Sequence, residues 1–156
     1  MSGAREETAA SEPFGCIQEA FGLSGVDVRT YSPLTLAYIG DGVFDLVIRS
    51  MIVGEGNDRP NSLNKRTSQI VRAHSQAVMI EALMEELTEE EQEVYRRGRN
   101  AKSPTMAKHA TMSDYRKATG LEALVGYLYL TNRFARVVAL VRTGLSHLQS
   151  VPGNDR

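Results

Sequence analysis

The five prolines of this 156-residue chain all fall at or outside the ends of segments whose apolar residues recur every three or four positions. Proline inside a helix removes a hydrogen bond and collides with the preceding turn, so this distribution marks out helices and little else. The run YSPLTLAYIGDGVFDLVIRSMI opens with Ser32 as an N-cap and Pro33 at the first helical position. Leu36, Ile39, Val43 and Val47 follow at helical spacing until VGEGNDRPN breaks the pattern. Residues 62–87, SLNKRTSQIVRAHSQAVMIEALMEEL, predict one further amphipathic helix over most of their length, with Leu63, Ile70, Ala77, Ile80, Leu83 and Leu87 on its stripe. Thr88 with Glu91 forms a capping box that opens the short acidic helix EEEQEVYRRGR. GRNAKSPTMAKHATM has no clear period and reads as a loop, and two more helices, SDYRKATGLEALVGYLYLT and RFARVVALVRTGLSHLQ, complete the pattern. The expected fold class is all-α, with one domain over residues 29–150. A disordered or loosely packed tail (1–28) precedes it and a short polar tail (151–156) follows.

Several function classes drop out. His74, His109 and His147 are far apart with no cysteine near them, so zinc-ligand spacing is absent. No glycine-rich phosphate loop follows a strand, because no convincing strand exists. No apolar run reaches the length of a membrane span, and the acidic N-terminus is no secretory signal. Cys16 stands alone, so no disulfide forms within one chain, which fits a reducing compartment. The net charge of -1 hides a segregation of charge. Residues 81–93 hold seven glutamates and no base; Arg59 to Ile80 hold four basic residues and no acid; Val94 to Lys117 hold seven basic residues against Asp114. Such segregation builds either a basic face on a neutral protein or merely solvated helix surfaces.

Two carboxylates stand out against this background. LAYIGDGVFDLVI is nearly all apolar yet holds Asp41 between Gly40 and Gly42, with Asp45 one turn later. GLEALVGYLYL holds a lone Glu122. An ionised carboxylate in an apolar setting is costly unless something compensates it. Each therefore needs an arginine on a neighbouring helix, a solvent-lined groove, or a cation. Oxygen ligands without His or Cys favour Mg²⁺, which keeps several waters and takes one or two carboxylates. Gly40, Gly42 and Gly126 would let two helices approach and bring both acids to one ion. Asp45 either supports that ion's water or meets solvent.

YIGDGVFDLVI resembles the signature segment of the ribonuclease III catalytic domain, a Gly-Asp pair inside an apolar helix. LEALVGYLYL resembles that family's second motif, and RRGRNAKSPTMAKHATMSDYRKATGLEALVGYLYL is closer still to its Mini-ribonuclease III branch, which lacks an appended double-stranded-RNA-binding domain. The resemblance covers about residues 31–145. It implies the helical ribonuclease III catalytic fold, with Asp41 and Glu122 as catalytic and metal-binding acids and Mg²⁺ as cofactor. Longer family members carry two more acids, where this chain has Ala37 and Thr119. The site therefore has two strong acidic ligands, and one ion is the expectation. Asp45 and Thr119 are supporting candidates, Thr119 through a metal-bound water.

The implied reaction is hydrolysis of a phosphodiester in double-stranded RNA, leaving a 5′-phosphate and a 3′-hydroxyl. Lys65, Arg66 and Arg72 are candidates for one phosphate track, and Arg96, Arg97, Arg99, Lys102 and Lys108 for another beside the loop. Asn100 matches the branch's loop pattern, or is simply a turn residue. The resemblance further implies a homodimer, with two active sites for two strands, in the cytoplasm. Its implied role is maturation of the large-subunit (23S) ribosomal RNA precursor in ribosome biogenesis, with a ribosomal protein on the substrate as a further partner. The alternative is a non-catalytic RNA-binding or ribosome-associated protein on the same fold.

Overall fold

The segment TGLEALVGYLYL has hardly a polar face, and a helix that is apolar all round has to be surrounded. In the computed structural model, helix α6 (Met112–Leu130) is buried continuously from Ala118 to Tyr129 apart from Glu122. The structure describes residues 11–25, 27–102 and 111–149. Around α6 pack α2 (Pro33–Glu55), α4 (Ala73–Leu83), α5 (Glu89–Asn100) and α7 (Phe134–Gln149), with α3 (Pro60–Val71) against α2 and α1 (Pro13–Phe21) on the far end of α6. Two 3₁₀ turns, Val28–Thr30 and Met84–Glu86, complete the described residues, which contain no strand. The all-α expectation holds. Phe44 and Ile48 of α2, Met79 and Leu83 of α4, and Leu124 and Leu128 of α6 are sealed together in the core.

The end signals behave as the sequence reads. Ser32 Oγ accepts the Thr35 amide at 3.2 Å, with Pro33 in the first turn of α2. At the start of α5, Glu91 N–H donates to Thr88 Oγ1 at 3.1 Å while Thr88 N–H donates to the Glu91 carboxylate at 2.9 Å. Glu91 is buried, and Arg136 of α7 grips it with two hydrogen bonds of 2.9 Å. Burial alone would raise its pKa, but the guanidinium and the Thr88 amide outweigh burial and hold it below the usual carboxylate range.

Two expectations fail for identifiable reasons. The single helix expected within residues 62–87 is broken at Arg72, whose ψ of 155° is extended and separates α3 from α4. The break strands carbonyl groups, and buried polar side chains recover them. Ser75 Oγ donates to the Gln69 carbonyl at 2.6 Å, and the Gln76 amide donates to the Val71 carbonyl at 2.7 Å. Periodicity registers the apolar stripe and is blind to that substitution of partners. Within the stretch expected to be a tail, Pro13–Phe21 form a helix instead. Phe14 stacks on Tyr129 with centroids 5.6 Å apart, the Glu12 carboxylate accepts the Phe134 amide at 3.1 Å, and Gly22 closes α1 in the left-handed conformation.

Candidate active site

Helices α2 and α6 meet backbone to backbone. A Cβ on Gly40 would lie 1.7 Å from the Glu122 carbonyl oxygen, and one on Gly126 would lie 2.0 Å from the Leu36 carbonyl oxygen. Any side chain at either position would wedge the helices apart. Gly42 behaves differently from its expected role: a Cβ there meets open space, so it takes no part in the approach.

The crossing brings the two carboxyl groups into contact. Asp41 lies on the exposed side of α2, Glu122 is half-buried on α6, and a hydrogen bond joins their side chains. Burial and a neighbouring carboxylate both disfavour the charged form of Glu122, so it holds on to its proton. Burial first, then the neighbouring Asp41 charge, then the hydrogen bond push the Glu122 pKa up to about 8. Among the described residues no arginine or lysine forms an ion pair with either acid; Arg49, Arg96, Arg133 and Arg136 pair with other carboxylates. No third acidic, His or Cys side chain joins them there to make a larger ligand cluster. Two acidic oxygen donors with no protein counter-charge fit a hydrated hard cation that takes most of its shell from water.

The supporting candidates are less free than their spacing suggests. Asp45 is held by Arg49, whose Nε donates to its carboxylate at 2.6 Å. Thr119 is buried, and its hydroxyl donates to the Tyr115 carbonyl at 3.0 Å, leaving it only lone pairs to offer a neighbour. Neither is drawn into the carboxylate contact.

Residues 34–133 match the ribonuclease III domain. The chain belongs to the ribonuclease III family. It is 44% identical over 130 residues to Mini-ribonuclease 3 of Clostridium tetani, covering 83% of this chain and 86% of that protein. Mini-ribonuclease 3 of Thermoanaerobacter sp. is 47% identical over 110 residues, covering 70% and 78%. The crystal structure of protein FN1578 from Fusobacterium nucleatum superposes with a TM-score of 0.70 at 30% identity, over 78% of this chain and 98% of that one. The chain is thus an endoribonuclease of the Mini-ribonuclease III branch. The ribonuclease III family acts on double-stranded RNA and generally depends on divalent metal. No helix among the described residues is long and apolar enough to cross a membrane.

The basic candidates separate into free and engaged groups. Lys65, Arg97 and Lys102 are exposed. Arg66 pairs with Glu55, Arg96 with Glu93 at 2.5 Å, and the exposed Arg72 bonds Ser75 at 3.2 Å. Arg99 lies 5.7 Å over the Tyr95 ring and reaches the Asn100 side chain at 3.4 Å. Asn100 is the last residue of α5 rather than part of the loop. Lys108 lies outside the described residues. Sequence reasoning missed two neighbours that fix site residues, Arg49 for Asp45 and Tyr95 for Arg99. Both lie at i,i+4 spacing, which was the available signal.

Proposed function

We propose that this endoribonuclease is Mg²⁺-dependent, with Asp41 and Glu122 together holding the ion at the site of cleavage. One observation carries the reading: two carboxyl groups from separate helices meet, Asp41 exposed to solvent, and no cationic side chain among the described residues neutralises them. Bound Mg²⁺ supplies Lewis acidity at a phosphate oxygen and at the attacking water. The protein's part is positional. The glycine contact between α2 and α6 sets the spacing of the two acids, and Glu122 releases its proton when a cation replaces it. Water attacks phosphorus in line and the 3′ oxygen leaves, giving a 5′-phosphate and a 3′-hydroxyl; neither acid is the nucleophile.

Duplex RNA is recognised mostly through shape, phosphates and 2′-hydroxyls. Lys65, Arg66 and Arg72 on one side, and Arg96, Arg97, Arg99, Lys102 and Lys108 with Asn100 on the other, are proposed as phosphate contacts. The unpaired, exposed Lys65, Arg97 and Lys102 support the assignment best. Asp45, with Arg49, and Thr119 are proposed as groups that steady the site from either helix.

Cutting two strands calls for two sites, and a homodimer supplies them. The face of α2 beside Asp41 supports this, because Leu34, Tyr38, Leu46 and Val53 form an exposed apolar stripe and Tyr38 is 83% accessible. The proposed substrate is a duplex of the large-subunit ribosomal RNA precursor in the cytoplasm, with a ribosomal protein bound to it. Incubating the purified protein with pre-ribosomal duplexes, with and without Mg²⁺, and mapping the cut ends tests the reading. Asp41→Asn and Glu122→Gln should each abolish Mg²⁺-dependent cutting while duplex binding persists. Unchanged cutting by either variant would remove the assignment.

A further inference from the structure

The first two turns of α6 carry three charged side chains, Asp114, Arg116 and Lys117. Two of them are engaged from α4. His74 Nδ1 donates to the Asp114 carboxylate at 3.0 Å, and Lys117 pairs with Glu81. Arg116 is exposed and forms no ion pair among the described residues. Its charge is therefore the one in this part of the helix that the fold does not use.

Helix geometry gives Arg116 a direction. Gly120, four residues on, faces α5, since a Cβ there would meet the Tyr95 ring at 2.6 Å. Residues four apart share a helix face, so Arg116 extends from the α5 side of α6. The two helices run antiparallel: Tyr127 reaches Glu90 at one end, and a Cβ on Gly98 would lie 3.0 Å from Gly120 Cα and 3.3 Å from the Thr119 carbonyl oxygen near the other. The end of α5, with Arg99 and then Lys102, thus runs toward the turn that holds Arg116. The same helix carries Glu122, six residues from Arg116 and about 9 Å along the axis. From Ala118 the intervening residues are buried, so a packed helix sets that interval.

We propose that Arg116 grips a backbone phosphate of the RNA strand bound at Glu122, and so fixes that strand along α6 relative to the two acids. A planar guanidinium with no carboxylate to occupy it matches the paired oxygens of a phosphate. The inference rests on the reading of Asp41 and Glu122 as the cleavage site, and it adds to the proposed phosphate contacts one that shares a rigid element with an acid.

The test uses the full-length protein and a blunt RNA duplex without divalent metal, so that binding is read without cutting and fails separately from the assignment of the two acids. Fluorescence anisotropy over a salt series gives the slope of log affinity against log salt. Arg116→Gln should reduce that slope by about one and weaken binding about tenfold at low salt, the loss of one charge-assisted contact. Arg116→Lys should restore the slope and only part of the affinity, because an ammonium lacks the planar fork. Arg142→Gln is the matched control. Arg142 is also exposed and forms no ion pair among the described residues, but its neighbours one turn away on α7 are Val138 and Ser146, so slope and affinity should stay at wild-type values. A wild-type slope and affinity in Arg116→Gln, or an equal fall in Arg142→Gln, would overturn the proposal.

Discussion

Gly40→Ala tests whether the backbone contact between α2 and α6 builds the site. The added Cβ would lie 1.7 Å from the Glu122 carbonyl oxygen, whereas an ordinary contact begins at 3.4 Å, a shortfall of about 1.7 Å. The obstructing atoms are backbone, including the Gly126 amide nitrogen at 2.8 Å, so no side chain can swing aside and the helices must part. Overpacking of this kind costs about 1–3 kcal/mol and occasionally more. At about 3 kcal/mol, and about 2–4 °C per kcal/mol for a chain of this size, the melting temperature should fall by about 6–12 °C. Cleavage should suffer more than stability, because an ångström of misplacement at a reacting site can cost about a hundredfold in rate. Gly54→Ala is the matched control. It lies in the same helix with nothing near its Cβ, and it should be neutral or stabilising by about 0.5–1 kcal/mol through helix propensity. Calorimetric melting and single-turnover cleavage of a duplex read both effects. Wild-type melting and cutting in Gly40→Ala would refute the reasoning.

The raised Glu122 pKa makes the metal-free protein pH-sensitive. The folded state holds a proton up to about 8 while the unfolded chain releases it near 4.5, so stability is greatest below that lower value and is lost as pH rises toward 8. Thermal melting should show wild type losing up to about 3 kcal/mol relative to Glu122→Gln between about pH 5 and pH 8, and parallel curves would count against the raised Glu122 pKa. Neutralising Arg96, Arg97 and Arg99 together should weaken duplex binding and flatten its salt dependence; a normal salt slope would move the RNA track elsewhere. Arg136→Ala leaves Glu91 buried without its guanidinium and should cost about 3–5 kcal/mol in denaturant unfolding, and a loss under about 1 kcal/mol would contradict that pairing.

Most of the fold is legible because its signals are local. Proline at helix starts, Ser32 and Thr88 at caps, and apolar spacing each act within a turn or two, and the helices that Ser32 and Thr88 open form as they predict. The break at Arg72 is not legible in this way, since it depends on Ser75 and Gln76 supplying hydrogen bonds that periodicity does not encode. Helix α1 is stable through Phe14 on Tyr129 and Glu12 on α7, contacts between residues more than a hundred positions apart in the chain. For the candidate site, the two carboxylates that stand unexplained in apolar helices are neighbours across the α2–α6 crossing, and Gly40 and Gly126 are the glycines at the close approach. Gly42 shows the limit of that reading: composition marks a small residue, but only the crossing geometry says which one touches the other helix.

Direct measurement of divalent-ion binding is the sharpest test of a site made by Asp41 and Glu122. Calorimetric titration of the wild-type protein with Mg²⁺ or Mn²⁺ should show one ion per chain with release of protons near neutral pH, and Asp41→Asn and Glu122→Gln should each remove both signals. Undiminished ion binding in both variants would contradict the account.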